Sequence, residues 1–405
     1  MAEATTERAS GPRLELPFHQ DVYRIGEKVK LSIINTPPDE VLADNQILSN
    51  PTGLEITRPD QPADDRTQHF TIKPKEYGSF KVVVESLPDC APVFINVCPL
   101  AKLERRVTGS PAVQLPRDLI ICNDGGFIVS DGVQKQIIRI NRDGSQELFQ
   151  IPKNIQHPFS PIGLALKQDV TSEDNNELYV TDLNNACVHV YHGLKHLESF
   201  GALSLKKPTG IAIDDDGFIF IADYEEKKIF QFNPNYEPVE GYDRPYSLEG
   251  PQLMTTDKPA ASGATGTVSL LVADRRGSKI SIFTIERGTE ANGKILTWVH
   301  DISMGICPGQ VLPFSVACDE NNHIFVGGQL QEENGEKTAG FIWFIDCNSL
   351  RFGGHKMEDW RFGDGMRNPG GMRIVSGDDG SSYLYVTDMR GKNAKSCINK
   401  FLLKN

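Results

Sequence analysis

The residues of this chain best suited to chemistry are five aspartates, Asp131, Asp182, Asp223, Asp274 and Asp388. Each closes a short apolar run such as Ile219-Phe220-Ile221-Ala222-Asp223 or Tyr385-Val386-Thr387-Asp388. A carboxylate can carry a proton, ligate a hard cation or accept backbone N–H groups in a turn. The intervals between the five, 51, 41, 51 and then 114 residues, mark one unit copied along the chain and not a single catalytic constellation. A turn-forming role, in which each carboxylate takes amides of the loop that follows, accounts for all of them, so no catalytic residue is assigned.

The remaining reactive side chains are no better placed. His189, His192 and His196 fall on a strand, a turn and the next strand of one unit, whereas metal ligands on a ring of repeats must converge from different units. The eight cysteines, Cys90, Cys98, Cys122, Cys187, Cys307, Cys318, Cys347 and Cys397, contain no C-x-x-C pair, so no zinc finger can be drawn. Gly363-Asp364-Gly365 and Gly370-Gly371 lead into a strand and not a helix, which argues against a phosphate loop, and no Gly-x-Ser-x-Gly occurs. No metal and no cofactor is expected.

The elements that carry these residues follow from the same repetition. A sixth copy, Ile324-Phe325-Val326, ends on Gly327-Gly328 and fills the long interval. Ahead of the aspartate lies an apolar run opened by proline, as in Pro161-Ile162-Gly163-Leu164 or Pro313-Phe314-Ser315-Val316. Behind it comes an alternating strand such as Ile229-Phe230-Gln231-Phe232 or Ile280-Ser281-Ile282-Phe283. Asp215-Asp216-Gly217 and Asp379-Gly380 supply the positive φ of tight hairpins, so each unit reads as a four-stranded antiparallel meander. The last unit runs out at Leu403 without a fourth strand, and Leu103-Glu104-Arg105-Arg106-Val107 is expected to pair its edge. The expectation is a six-bladed β-propeller over residues 101–405, closed by an N-terminal strand.

The run from Pro208 to Asp223, Pro-x-Gly-Ile-Ala-Ile-Asp-x-x-Gly-x-Ile-x-Ile-Ala-Asp, resembles the NHL repeat, and the other five units resemble it more weakly. Residues 1–13 are polar and lack an apolar h-region, so a disordered tail is expected and not a signal peptide. Residues 14–100 hold alternating strands between Pro- and Asp-rich turns, as expected of an immunoglobulin-like β-sandwich. Within them Phe70 to Val82, followed by Ala91 to Val97, resembles the end of a filamin repeat. A filamin-type sandwich followed by an NHL propeller is similar to the C-terminal half of tripartite-motif proteins of the NHL class, without their RING finger, B-boxes or coiled coil. The fold class expected is all-β throughout.

That resemblance implies a non-catalytic interaction module, not an enzyme, docking a protein partner linked to the ubiquitin pathway on the propeller's upper face. RNA binding by the same face is the alternative, and a metal-dependent hydrolase the second, because six-bladed propellers include calcium-dependent lactonases and a zinc lyase. The formal net charge of −12, with 10 basic and 15 acidic residues in the first hundred and 32 and 39 in the remainder, excludes a basic nucleic-acid binder on bulk charge. The loops assigned to the upper face carry a local basic excess. The partner-binding residues expected there are Lys206, Lys207, Tyr224, Lys227, Lys228, Tyr246, Arg275, Arg276, Lys279, Phe314, Arg361, Arg390 and Lys392. No small-molecule substrate is evident in this reading, no membrane contact is expected, and a reducing cytoplasm suits the cysteine usage.

Overall fold

The computed structural model describes residues 12–15, 23–24, 28–34, 47–50, 54–57, 67–75, 78–84, 87, 90, 93–98, 100–107, 113–167, 176–239, 246–256, 268–287, 294–304, 310–319, 323–331, 337–346, 361–377, 380–389 and 396–404. These residues form strands and turns without a helix, and they belong to two compact units that divide near Ala101 and Lys102. The first unit holds two four-stranded sheets. In one, Val29–Ile34 pairs with Thr67–Pro74 and buries Leu31, Ile33, Phe70 and Ile72; the other buries Phe80, Val82 and Val84 on Gly78–Val84.

The second unit consists of small antiparallel sheets built in chain order, the architecture of a β-propeller. The first sheet joins Pro116–Ile121, Phe127–Asp131, Gln136–Ile140 and Gln146–Leu148; the second joins Pro161–Lys167, Glu177–Asp182, Cys187–His192 and Lys195–Phe200. The third has Pro208–Ile213, Ile219–Asp223 and Lys228–Phe232. Four strands were expected there, but past Phe232 the described chain adds only a single bridge to Pro238. The fourth holds Pro251–Thr256, Val268–Asp274, Lys279–Arg287 and Lys294–Ser303, and the fifth Gln310–Cys318, His323–Gln331, Lys337–Asp346 and Arg361–Met366. The sixth runs Pro369–Ser376, Ser382–Asp388 and Cys397–Lys404 and takes Leu100–Val107 as its outer strand.

One register recurs in every sheet. The proline that opens the first strand faces the residue that closes the second: Pro116 and Asp131, Pro161 and Asp182, Pro208 and Asp223, Pro251 and Asp274, Pro313 and Gly328, Pro369 and Asp388. A bulge follows each proline, and bulges re-aim the side chains beside them. The first strands touch one another in a closed cycle, the sixth returning to the first. Alternating faces of neighbouring sheets bury apolar layers, such as Ile120, Ile128, Leu164 and Val180, or Phe220, Met254, Leu270 and Phe283.

Hydroxyl side chains near the proline–aspartate end pin several sheets to the first strand of the next. Ser130 Oγ donates to Ile162 O at 2.6 Å, Thr181 Oγ1 to Thr209 O at 2.7 Å, and Ser315 Oγ to Gly370 O. The strands come so close that a Cβ on Gly210 would lie 2.3 Å from Gln252 O. Because that oxygen belongs to the backbone, Gly210→Ala should cost about 1–3 kcal/mol, measured as a lower denaturation midpoint with an unchanged m-value.

Candidate functional site

The repeated aspartate builds the end of the ring at which a site can form. Asp223 is fully buried and accepts Lys206 N (2.7 Å) and Lys207 N (3.0 Å) from the loop before the first strand. It also takes Glu225 N and Glu226 N (3.0 Å each) from the loop after the second. Asp131 does the same with Gln114 N, Leu115 N, Val133 N and Gln134 N. The sequence suggested only the following loop; Asp131, Asp182, Asp223 and Asp274 in fact each tie two loops together. The residue after the aspartate then donates its N–H to the carbonyl ahead of the proline, as Leu183 does to Ser160, Tyr224 to Lys207, Arg275 to Gly250 and Met389 to Asn368. Equivalent side chains are thereby held over the start of the first strands, around the mouth of the ring.

Across this mouth lies an apolar floor. Ile162, Leu253, Phe314 and Met389 are buried in one cluster, with Leu115 and Leu183 against it. They come from the second, fourth, fifth and sixth sheets, which are not all neighbours, so they meet over the centre. The rim is polar. Arg275 Nη2 donates to Gln329 Oε1 at 3.1 Å, and Gln329 Nε2 donates to Arg367 O at 3.1 Å. Arg276 lies over the Tyr224 ring, its Cζ 4.7 Å from the centroid, and both side chains pack on Gly250, where a Cβ would meet each of them. Arg117, the residue re-aimed by the first sheet's bulge, lies against Gly132 and Leu115. Burial lowers the pKa of Arg117 against the opposing charge of Asp131. It lowers that of Arg275 too, with Tyr224 opposing and the like charge of Arg117 adding to the depression.

Deeper in the ring, Arg373 reaches from the sixth sheet across the first to the second. Its Nη1 lies 3.3 Å from Asp118 Oδ1, and its Nη2 donates to Asp118 Oδ2 (3.3 Å) and to Leu164 O (3.1 Å). Asp118 also accepts Leu164 N and Leu119 N. Burial pushes its carboxyl above the usual range, and Arg373 pulls it back.

The expected docking lysines are occupied within the molecule. Lys206 pairs with Glu226, Lys207 with Glu225 at 2.6 Å, Lys227 with Glu249 at 3.0 Å and Lys279 with Asp301 at 2.7 Å, while Lys228 sits 4.4 Å over the Phe230 ring. Tyr246 is a packing residue, edge-on to Phe283, its hydroxyl accepting Ile229 N. Phe314 belongs to the floor. Arg390 and Lys392 lie outside the described residues, as does the side chain of Arg361. Of the expected residues whose side chains are described, Tyr224, Arg275 and Arg276 stand on the rim and Phe314 in the floor. Arg117, Asp118, Gln329 and Arg373 were missed, although Pro116-Arg117-Asp118 stands at the same register as the other proline-led strands.

The histidines form a network on the second sheet and not a metal centre. His189 Nε2 lies 3.2 Å from Asp182 Oδ2, and His189 Nδ1 lies 2.7 Å from Ser199 Oγ and 3.2 Å from His196 Nε2. Asp182 is held below the usual carboxylate range; burial alone would raise it, but hydrogen bonds from His189 and Asn185 prevail. Burial pushes the Cys187 thiol up to about 12, which leaves it unreactive. Among the described residues no group of three or more His, Cys, Asp or Glu side chains could hold a metal ion.

No protein-family model matches the chain, and no curated protein matches it. It is similar to solved β-propeller structures. One is a streptogramin B lyase, at 13% identity and TM-score 0.46 over 75% of this chain and 98% of that one. Another is the PQQ-bound aldose sugar dehydrogenase of Streptomyces coelicolor, at 15% and 0.47 over 75% and 97%. A third is a gluconolactonase of Xanthomonas campestris, at 13% and 0.43 over 76% and 100%. Likeness of this degree concerns the fold and leaves the chemistry to the site. They are named as a lyase, a sugar dehydrogenase and a gluconolactonase, and the expectation of a non-catalytic platform for a protein partner with no small-molecule substrate is corrected on this chain's own loops. The physical reason lies in the same loops: the basic excess that suggested docking is neutralised by carboxylates beside it.

Proposed function

We propose that the second unit is a small-molecule enzyme with its site at the proline–aspartate mouth of a six-bladed, NHL-like ring, preceded by a filamin-like sandwich at residues 14–100. One observation carries the enzymatic reading: an apolar floor contributed by non-neighbouring sheets is rimmed by Arg275, Gln329 and Tyr224. An apolar bed with a few convergent polar groups is the composition of a small-molecule site. There Arg275, aimed by Gln329, polarises a carbonyl oxygen and holds the negative charge that develops on it. The Tyr224 hydroxyl moves the proton. Hydrolysis or elimination at a small carbonyl compound such as a lactone or ester is the reaction class that suits these groups. Among the described residues no group of three or more His, Cys, Asp or Glu side chains could hold a metal ion, and the steps are assigned to the chain's own residues.

The test is turnover of a panel of small lactones and esters by the purified chain. Arg275→Gln should lower kcat/KM by about 10²–10³-fold with the thermal midpoint unchanged. Absence of turnover across the panel in the unsubstituted protein would sink the reading.

A further inference from the structure

We propose that Arg117 and Arg275 form a clamp for a compact oxyanion, the carboxylate or phosphate of a small ligand, at the centre of the mouth. This deepens the enzymatic reading and rests on the mouth being a small-molecule site.

The geometry begins with the cycle of first strands. Arg117 belongs to the first sheet and Arg275 follows the second strand of the fourth, three steps apart in either direction, so the two arginines stand on opposite sides of the cycle. The like charge of Arg117 adds to the depression of the Arg275 pKa that burial causes. Like charges drawn together away from water are unfavourable unless something negative lies between them.

Their surroundings supply only part of that charge. Arg275 donates to the neutral amide of Gln329. Arg117 has no hydrogen-bond or ion-pair partner among the described residues, and its Nε is buried and unpaired. Asp131 gives Arg117 a counter-charge at electrostatic range but no hydrogen bond, its oxygens being taken by the amides of Gln114, Leu115, Val133 and Gln134. Arg373 is the contrast: in the same ring, its guanidinium is matched by the Asp118 carboxylate. A guanidinium fork suits carboxylate or phosphate geometry, and the apolar floor beneath suits a ligand whose remaining body is apolar.

The experiment follows the thermal midpoint of the full chain with phenyl phosphate, benzoate and the neutral benzamide. Both anions should raise the midpoint, benzamide should not, and added salt should weaken the effect. Arg117→Gln and Arg275→Gln should each weaken anion binding by about 10–100-fold, while Arg139→Gln, on the rim of the first sheet beside Asp124, should leave it unchanged. Without ligand, Arg117→Gln should melt at or above the unsubstituted protein, because it relieves like-charge repulsion; a merely structural arginine would give the opposite sign. The clamp is overturned if neither anion shifts the midpoint, if benzamide matches benzoate, or if the shift survives in the double variant. Anion binding without turnover would remove the enzymatic reading and keep the clamp. Turnover of neutral lactones without anion binding would do the reverse.

Discussion

Replacing Arg373 by alanine should destabilise the propeller unit by about 3 kcal/mol near pH 8, the low end of the range for breaking a buried ion pair. Asp118 is buried and would be left with two backbone amides and no counter-charge, whereas Arg373 itself is a quarter exposed, so water entering the ring offsets part of the loss. The effect has a pH signature. The folded-state pKa of Asp118 already lies above its unfolded value, and loss of Arg373 raises it further. A carboxyl raised on folding is protonated in both states below its unfolded pKa, near 4, and loses stability as pH rises through the folded pKa. The deficit of Arg373→Ala relative to the unsubstituted protein should therefore be smallest near that pH and grow toward neutrality and above. Arg373→Lys keeps the charge but not the fork that also reaches Leu164 O, so it should rescue only in part. Adding Asp118→Asn to Arg373→Met, which removes both charges, should recover about 2 kcal/mol. Urea titrations between pH 4 and 8 read all of this; a deficit that does not vary with pH would show that Asp118 stays ionised without its partner.

Repetition made the ring legible, because a copied strand needs no tertiary information to be recognised. The proline and aspartate positions could be read from spacing, and they proved to be cross-strand partners at one end of each sheet. The exception in the fifth sheet also has a physical cause. Gly328 takes the aspartate's place where a Cβ would lie 2.5 Å from Leu312 O, so no carboxylate could stand there. The site was less legible because its residues are joined only by closure. Arg117 and Arg275 are far apart in sequence, and nothing local says that both lean toward one centre. Charge counting erred in the opposite sense. Lys206, Lys207 and Lys227 read as part of a basic patch, while Glu226, Glu225 and Glu249 lie beside them as direct partners. The pairing of Asp118 with Arg373, 255 residues apart, is of the same kind: a contact written by topology and not by motif.

Replacing Asp223 by alanine should be the most disruptive single change at the mouth, at about 3–5 kcal/mol. That figure follows from backbone hydrogen bonds to a charged acceptor, worth about 1.5–3 kcal/mol each, discounted because water reaches part of the freed loop. Four amides would lose their acceptor at once, two on each side of the third sheet. Asp223→Asn should recover little, since an amide offers one acceptor oxygen and turns a donor toward donors. The consequence extends beyond stability. With the loops untied, Tyr224 is no longer fixed by the carbonyl of Lys207, and its contact with Arg276 over Gly250 loosens. Activity should therefore fall at temperatures where the variant is still folded, with kcat reduced more than KM raised, because the floor made by Ile162, Leu253, Phe314 and Met389 does not depend on this aspartate. Asp388→Ala, which frees the amides of Arg367 and Asn368, would disturb the support of Gln329 instead and so reach Arg275 from the other side. If both variants lost stability but kept full turnover while folded, the aspartates would be structural ties only, and the rim they hold would not be where the chemistry occurs.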